Sequence, residues 1–252
     1  MVDPARGPDG AGSWLPGNVG GAWRIGDTVH RDTGPWTPAV HALLAYLAGR
    51  VPNVPTVLGF DEQGREVLTF LPGRVVDIDT EQLTLGQLDS LMRWTRAFHE
   101  AVAGFDHPGP WRHPPMPEPT LIGHNDIAPY NVCFAGDDVA GVFDWDLAGP
   151  TTPLMELAFV AWNCVPLWRD VGDEATVERL RRICSAYGGV LPVDLADAVP
   201  CRIQLMLDWI PRGAAAGDPG LRRLMTQGEP ARSQEALDAL VPRLSRVRSL
   251  LT

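Results

Sequence analysis

The chain changes periodicity near residue 84, and that change limits its architecture more than any other feature. Between Trp14 and Leu71, short apolar pieces alternate with glycines and turn pairs, as in Ala22-Trp23-Arg24-Ile25, Gly26-Asp27 and Thr28-Val29-His30-Arg31. This pattern predicts two or three short strands with tight turns, Gly26-Asp27 being the clearest. Val54–Phe60 and Glu66–Leu71 read as a further strand pair around Asp61-Glu62-Gln63-Gly64. One helix interrupts them, from Pro38 to Leu47, with Thr37 as its N-cap and Pro38 at its first position. From Thr84 onward, Leu85, Leu88, Leu91, Met92, Thr95, Phe98 and Val102 recur at helical spacing. After a Pro/Gly/His-rich connector over 104–119 and one hairpin around Gly136-Asp137-Asp138, the chain past Pro153 reads as helical. A β-rich piece followed by a helical one is an α+β arrangement. The expected organisation is a flexible leader over 1–13, a small lobe over 14–73 and a larger, mostly helical lobe over 74–252.

Composition narrows the function classes. The 252 residues suffice for a two-lobed unit with a sizeable core. A formal net charge of −10 disfavours nucleic acid as partner, since phosphate backbones are held by positive charge, and is compatible with a cationic substrate. No apolar run is long enough to cross a bilayer, and the N-terminus lacks an apolar signal core, so a cytoplasmic protein is expected. Cys133, Cys164, Cys184 and Cys201 are widely spaced in apolar surroundings, which predicts buried free thiols rather than a zinc site. Every basic residue other than histidine is arginine, so lysine Schiff-base chemistry and a Walker A loop are both excluded.

One stretch carries chemistry. His124-Asn125-Asp126-Ile127-Ala128-Pro129-Tyr130-Asn131 is followed, after the hairpin, by Phe143-Asp144-Trp145-Asp146. Phosphoryl transfer to a hydroxyl needs a carboxylate to orient the nucleophile and take its proton, and oxygen ligands for magnesium on the phosphates. Asp126 sits on a loop after the apolar pair Leu121-Ile122 and fits the base. Asn131 offers a neutral oxygen and Asp144 a charged one, both suited to magnesium. An Asn-Asp pair near a proline is also ordinary turn chemistry. The returning hairpin favours the metal reading, because it brings Asn131 and Asp144 to the same end.

This motif, with Pro153-Leu154-Met155-Glu156-Leu157-Ala158 behind it, closely resembles the aminoglycoside phosphotransferase family of kinase-like enzymes. Gly34-Pro35-Trp36-Thr37-Pro38 and its surroundings resemble a bacterial subgroup labelled trifolitoxin-immunity-like. The resemblance implies a protein-kinase-like two-lobed fold, with Asp126 as catalytic base and His124 bracing the catalytic loop. It further implies Asn131 and Asp144 as ligands of Mg2+, and ATP, or GTP, as phosphoryl donor. Gly20 and Gly21, within Gly17-Asn18-Val19-Gly20-Gly21, would cover the nucleotide phosphates with backbone N–H groups. The family's phosphate-holding lysine has no counterpart, and by strand position Arg31 takes its place. The glutamate that would aim it falls near Val40 and His41, so the usual ion pair is expected to be absent, with Asp32 or Glu66 as substitutes. Glu156 and Asp146 would be braces of the site. The implied activity is transfer to a hydroxyl of a small molecule, an aminoglycoside-like antibiotic or a metabolite. A peptide Ser/Thr kinase and a non-catalytic immunity or binding protein are the alternatives, and either a monomer or a dimer is compatible.

Overall fold

A computed structural model describes residues 12–17 and 20–252 of the chain, so the expected leader lies almost wholly outside the described residues, as do Asn18 and Val19 of the glycine loop. Five strands form the first sheet: β1 (Ser13–Pro16), β2 (Gly21–Ile25), β3 (Thr28–Arg31), β4 (Val57–Phe60) and β5 (Glu66–Thr69). Their order is β1-β2-β3-β5-β4 and every pairing is antiparallel. Gly26 turns β2 into β3 with φ of 61°, a conformation glycine adopts without steric cost. A β-bulge between Val57 and Gly59 bends β4 against β5.

The first helix, α1 (Thr37–Leu47), starts one residue earlier than the sequence suggests. Thr37 cannot cap it, because its hydroxyl accepts the Gly34 N–H at 2.9 Å instead of a helical amide. Helix α1 packs against β4 and buries Val40, Leu43, Leu44 and Leu47.

The helical part begins with α2 (Leu85–Val102), which opens on a capping box. Thr84 Oγ1 accepts the Gln87 N–H at 3.0 Å, and Gln87 Oε1 accepts the Thr84 N–H at 3.0 Å. Five further short strands lie outside the first sheet. Strand β7 (Leu121–Gly123) pairs with β10 (Gly149–Thr151), and β6 (Arg74–Val75) joins the hairpin of β8 (Val132–Ala135) and β9 (Asp138–Val142). Helices α3 (Pro153–Cys164), α4 (Asp173–Tyr187), α5 (Pro192–Ala215), α6 (Pro219–Thr226) and α7 (Glu229–Leu251) complete the chain. Thr152 caps α3 by accepting the Met155 N–H at 3.2 Å, with Pro153 at the first helical position. Helix α6 was not legible in the sequence: it spans two turns, with Pro219 and Gly220 at its start.

One apolar core runs through the whole molecule, from Leu43 and Leu68 by way of Leu88, Met92, Phe98, Val142 and Trp145 to Leu180, Ile203 and Val247. A second cluster of Trp209, Ile210, Ala214 and Leu221 lies at the α5–α6 corner, with Leu147 packed on it. Three cysteines are buried as expected, but Cys201 is exposed, because it falls on the outer face of α5. No helix among the described residues is long and apolar enough to cross a membrane.

Candidate active site

Strand β7 delivers His124 and Asn125 into the core, where both are fully buried. His124 Nε2 donates to the Phe143 carbonyl at 3.0 Å, and His124 Nδ1 accepts the Asp126 N–H at 3.2 Å. The ring also packs on Trp145, with centroids 4.5 Å apart. Burial lowers its pKa, which keeps the imidazole neutral and suited to one donated and one accepted bond. His124 therefore ties the loop after β7 to the segment after β9.

Asn125 holds a left-handed backbone, φ 62°, just before Asp126. Asparagine tolerates that region better than most residues. Four hydrogen bonds enforce it. The Asn125 N–H donates to Glu156 Oε1 at 2.6 Å, and the Asn125 carbonyl accepts from Arg202 Nη2 at 2.9 Å. Its side-chain amide donates to the Leu147 carbonyl at 3.2 Å and to the Gly149 carbonyl at 3.1 Å. Glu156 in turn meets His99 Nε2 at 2.5 Å and is wholly buried.

Asp126 emerges from this frame half-buried. Its Oδ2 accepts from Asn131 Nδ2 at 2.8 Å and its Oδ1 from the Tyr130 hydroxyl at 3.3 Å. Burial and the nearby charge of Asp144 push its pKa up to about 8. The hydrogen bonds and the Arg202 guanidinium act the other way. Because Asn131 spends its nitrogen on Asp126, its amide oxygen is the atom left to face a cation.

The hairpin register pairs Val132 with Val142, and the Phe143 N–H donates to the Asn131 carbonyl at 3.0 Å. Asn131 and Asp144 thus leave the hairpin at the same end. Asp144 also has a left-handed backbone, φ 61°, and its side chain remains 43% exposed. An amide oxygen and a carboxylate are hard donors of the kind magnesium takes. No group of three His, Cys, Asp or Glu side chains forms a ready cage among the described residues. Magnesium on a nucleotide needs none, since phosphates and water fill most of its octahedron.

Arg31 reaches this end of the hairpin from β3. Its Nε bonds Glu66 Oε1 at 2.9 Å, its Nη1 bonds Asp144 Oδ1 at 3.1 Å, and its Nη2 pairs with Asp146. Burial would favour loss of its proton, but Asp146, Asp144 and Glu66 more than offset this and raise its pKa. Of the two substitutes expected for the aiming ion pair, Asp32 and Glu66, it is Glu66 that supplies it. Arg31 and Glu66 stand opposite each other in the β3–β5 register, a relation hidden until the strands pair. His41 takes the other Glu66 oxygen at 2.7 Å. Asp32 makes no ion pair among the described residues.

Two participants escaped the sequence reading. Arg112, in the connector, joins Asp146 at 3.2 Å and grips both oxygens of Asp218 at 2.8 Å, while its guanidinium lies 4.3 Å above the Trp36 ring. Arg202 is 1% exposed on α5 and lies close enough to Asp126 and Glu156 to feel both charges. Neither arginine stands in a recognisable motif; each is recruited by packing. Asp146 is thus shared between two guanidiniums.

At the glycine loop, a Cβ on Gly21 would lie 2.0 Å from Trp14 Cζ2, so packing of β1 on β2 already demands glycine there. A Cβ on Gly20 would meet open space. Acidic residues of the helical lobe that could attract a cationic acceptor are engaged with neighbours: Asp170 with Arg243, Asp173 with Arg246, and Asp208 with the Gln204 amide.

The Asp126 loop, the carboxylate at the hairpin end and an arginine from the small sheet stand together. The family model described as "Phosphotransferase enzyme family" matches residues 110–196. The matched segment contains the whole stretch from β7 to α3. The chain is 35% identical over 165 residues to the trifolitoxin immunity protein of Rhizobium leguminosarum bv. trifolii, covering 58% of this chain and 59% of that protein. It is 32% identical over 140 residues to a homoserine kinase of Rhodopseudomonas palustris (strain TIE-1), covering 55% of this chain and 37% of the kinase. The chain thus spans about three-fifths or less of the length of these relatives. In fold it is similar to the amicoumacin kinase hAmiN, solved with AMP-PNP, Ca2+ and Ami, with a TM-score of 0.67 and 12% identity over 93% of this chain and 90% of the kinase. The kinase-like α+β fold follows from that likeness and from the small antiparallel sheet set against a helical region.

Proposed function

We propose that the protein is an ATP- and Mg2+-dependent O-phosphotransferase acting on a hydroxyl of a small molecule. The observation that carries this reading is the convergence of Asp126, Asn131 and Asp144 at one end of the β8–β9 hairpin. Asp126 would hold the acceptor hydroxyl and receive its proton as the oxygen attacks the γ-phosphorus and the β,γ-bridging bond breaks toward the diphosphate. Asn131 and Asp144 would hold a magnesium ion, which when bound neutralises phosphate charge. That positive charge would also offset the Asp144 carboxylate that raises the Asp126 pKa, lowering it and leaving Asp126 ionised and free to act as base near neutral pH. His124, Asn125 and Glu156 keep the loop in place, and Gly20 and Gly21 face the phosphates with backbone N–H groups. Arg31 aims Asp144 and Asp146 from the small sheet.

The homoserine kinase relative and the kinase-like fold support a small hydroxylated acceptor. A non-catalytic binding protein is the second reading, favoured by the full engagement of Arg31 with three carboxylates and by similarity to an immunity protein.

A ligand at about 100 times its dissociation constant stabilises a protein by about 2.7 kcal/mol. For a chain of this size, saturating Mg·ATP should therefore raise the thermal midpoint by about 5–10 °C. Asp144→Ala should abolish the rise. A parent protein that melts at the same temperature with and without Mg·ATP would rule out the phosphotransferase reading. A shift without turnover of any hydroxylated acceptor would favour the non-catalytic one.

A further inference from the structure

The cleft is short of uncommitted positive charge. Lysine is absent from the sequence. Arg31 uses all three of its nitrogens on Glu66, Asp144 and Asp146. Arg112 is divided between Asp146 and Asp218. Arg24 lies 3.7 Å above the Phe70 ring and donates to the Gly26 carbonyl, at the far end of the β2–β3 hairpin. A nucleotide triphosphate adds several negative charges to a place already holding Asp126, Asp144 and Asp146. A divalent ion offsets only part of that.

The α5–α6 corner supplies a cation. Asp218 caps α6 by accepting the Gly220 and Leu221 N–H groups at 2.8 and 3.0 Å. Both Asp218 oxygens are held by Arg112, which also holds Asp146. Leu221 and Leu147 belong to the same apolar cluster. Helix α6 is thus anchored on the Asp144–Leu147 segment by an ion-pair chain and by packing. One turn further on, the exposed Arg223 points Nη1 at the Gly20 carbonyl, 3.4 Å away and 203 residues distant in sequence. Arg223 has no carboxylate partner among the described residues. Its neighbour Arg222 turns back to the Ala214 carbonyl at 3.0 Å.

We propose that Arg223 grips the nucleotide phosphates from the helical lobe, in place of the absent lysine. This rests on the nucleotide-dependent reading above. The bond to Gly20 is long and made to a neutral acceptor. Phosphate oxygens lying beside Gly20 would offer the guanidinium stronger, bidentate contacts at little rearrangement.

Titration calorimetry with Mg·ATP and, separately, with adenosine tests this on the full chain. Arg223→Ala should weaken Mg·ATP by about 10- to 100-fold, the loss expected for a charge-assisted hydrogen bond, and leave adenosine unchanged. Arg223→Lys should recover part of the loss, and Arg222→Ala should bind both as the parent does. Equal Mg·ATP affinity in the parent and Arg223→Ala overturns the proposal, as does an equal loss for Mg·ATP and adenosine. A parent that binds Mg·ATP but transfers no phosphoryl group defeats the phosphotransferase reading, while the Arg223 comparison still decides the grip. A parent that binds no Mg·ATP overturns both.

Discussion

Asp126→Asn should lower phosphoryl transfer by about 10²- to 10⁴-fold, the range contributed by a positioned general base. The substitution keeps the shape and the contact with Asn131 but removes the ability to take a proton. Nucleotide affinity should stay within about twofold of the parent, because Asp126 does not face the phosphates in the proposed arrangement. The measurement is initial transfer rate with saturating Mg·ATP and an acceptor on which the parent turns over, alongside a Kd for Mg·ATP. Unchanged transfer in the variant would remove Asp126 from the role of base. A collapse of nucleotide affinity would instead make it part of the metal site. The structure favours the first role because the contacts of Asp126 come from neutral groups, Asn131 and Tyr130, which orient the carboxylate without neutralising it.

Glu156→Ala should destabilise the protein by about 3–5 kcal/mol, the cost of removing one partner from a buried polar pair. That corresponds to a fall of about 10 °C in thermal midpoint for a chain of this size. Glu156 is 0% exposed, bonds His99 and accepts the Asn125 N–H, so its loss strands a buried imidazole and a buried amide together. Arg202 would also lose one of the two carboxylates that offset its buried charge. Glu156→Gln should fall between the two, since an amide oxygen still accepts from Asn125. Burial raises the Glu156 pKa, but the hydrogen bond and charge of His99 and the Asn125 amide outweigh it, and the net pKa is lowered. A depressed carboxylate contributes fully above its unfolded pKa, about 4.3, and loses the contribution as pH falls through the folded value. The midpoint gap between the parent and Glu156→Gln should therefore be constant near neutrality and narrow in acid. Coincident melting curves at neutral pH would contradict the brace; a gap that widens in acid would contradict its sign.

Local patterns carried further in some places than in others. The β8–β9 hairpin, the cap on α3 and the long helix α2 were readable because each rests on near neighbours: turn residues, a threonine before a proline, and a repeat of apolar side chains. The partner of Arg31 was narrowed only to Asp32 or Glu66. Glu66 lies 35 positions away on a strand that pairs with β3 out of sequence order, so only the sheet brings the two together. Thr37 shows the same limit over a short range. Its hydroxyl had two candidate amides, and the turn at Gly34 took it.

From the sequence alone came the α+β order of elements, the absence of lysine and the Asp126, Asn131, Asp144 spacing, because these depend on residue type and on distances along the chain. The tertiary structure decided which charges meet. It placed Glu66 opposite Arg31, recruited Arg112 and Arg202 to the motif, and carried Arg223 across to the glycine loop. Coulomb and hydrogen-bond energies depend on distances in space, and in this fold those distances are set by strand pairing and helix packing between segments far apart in the chain.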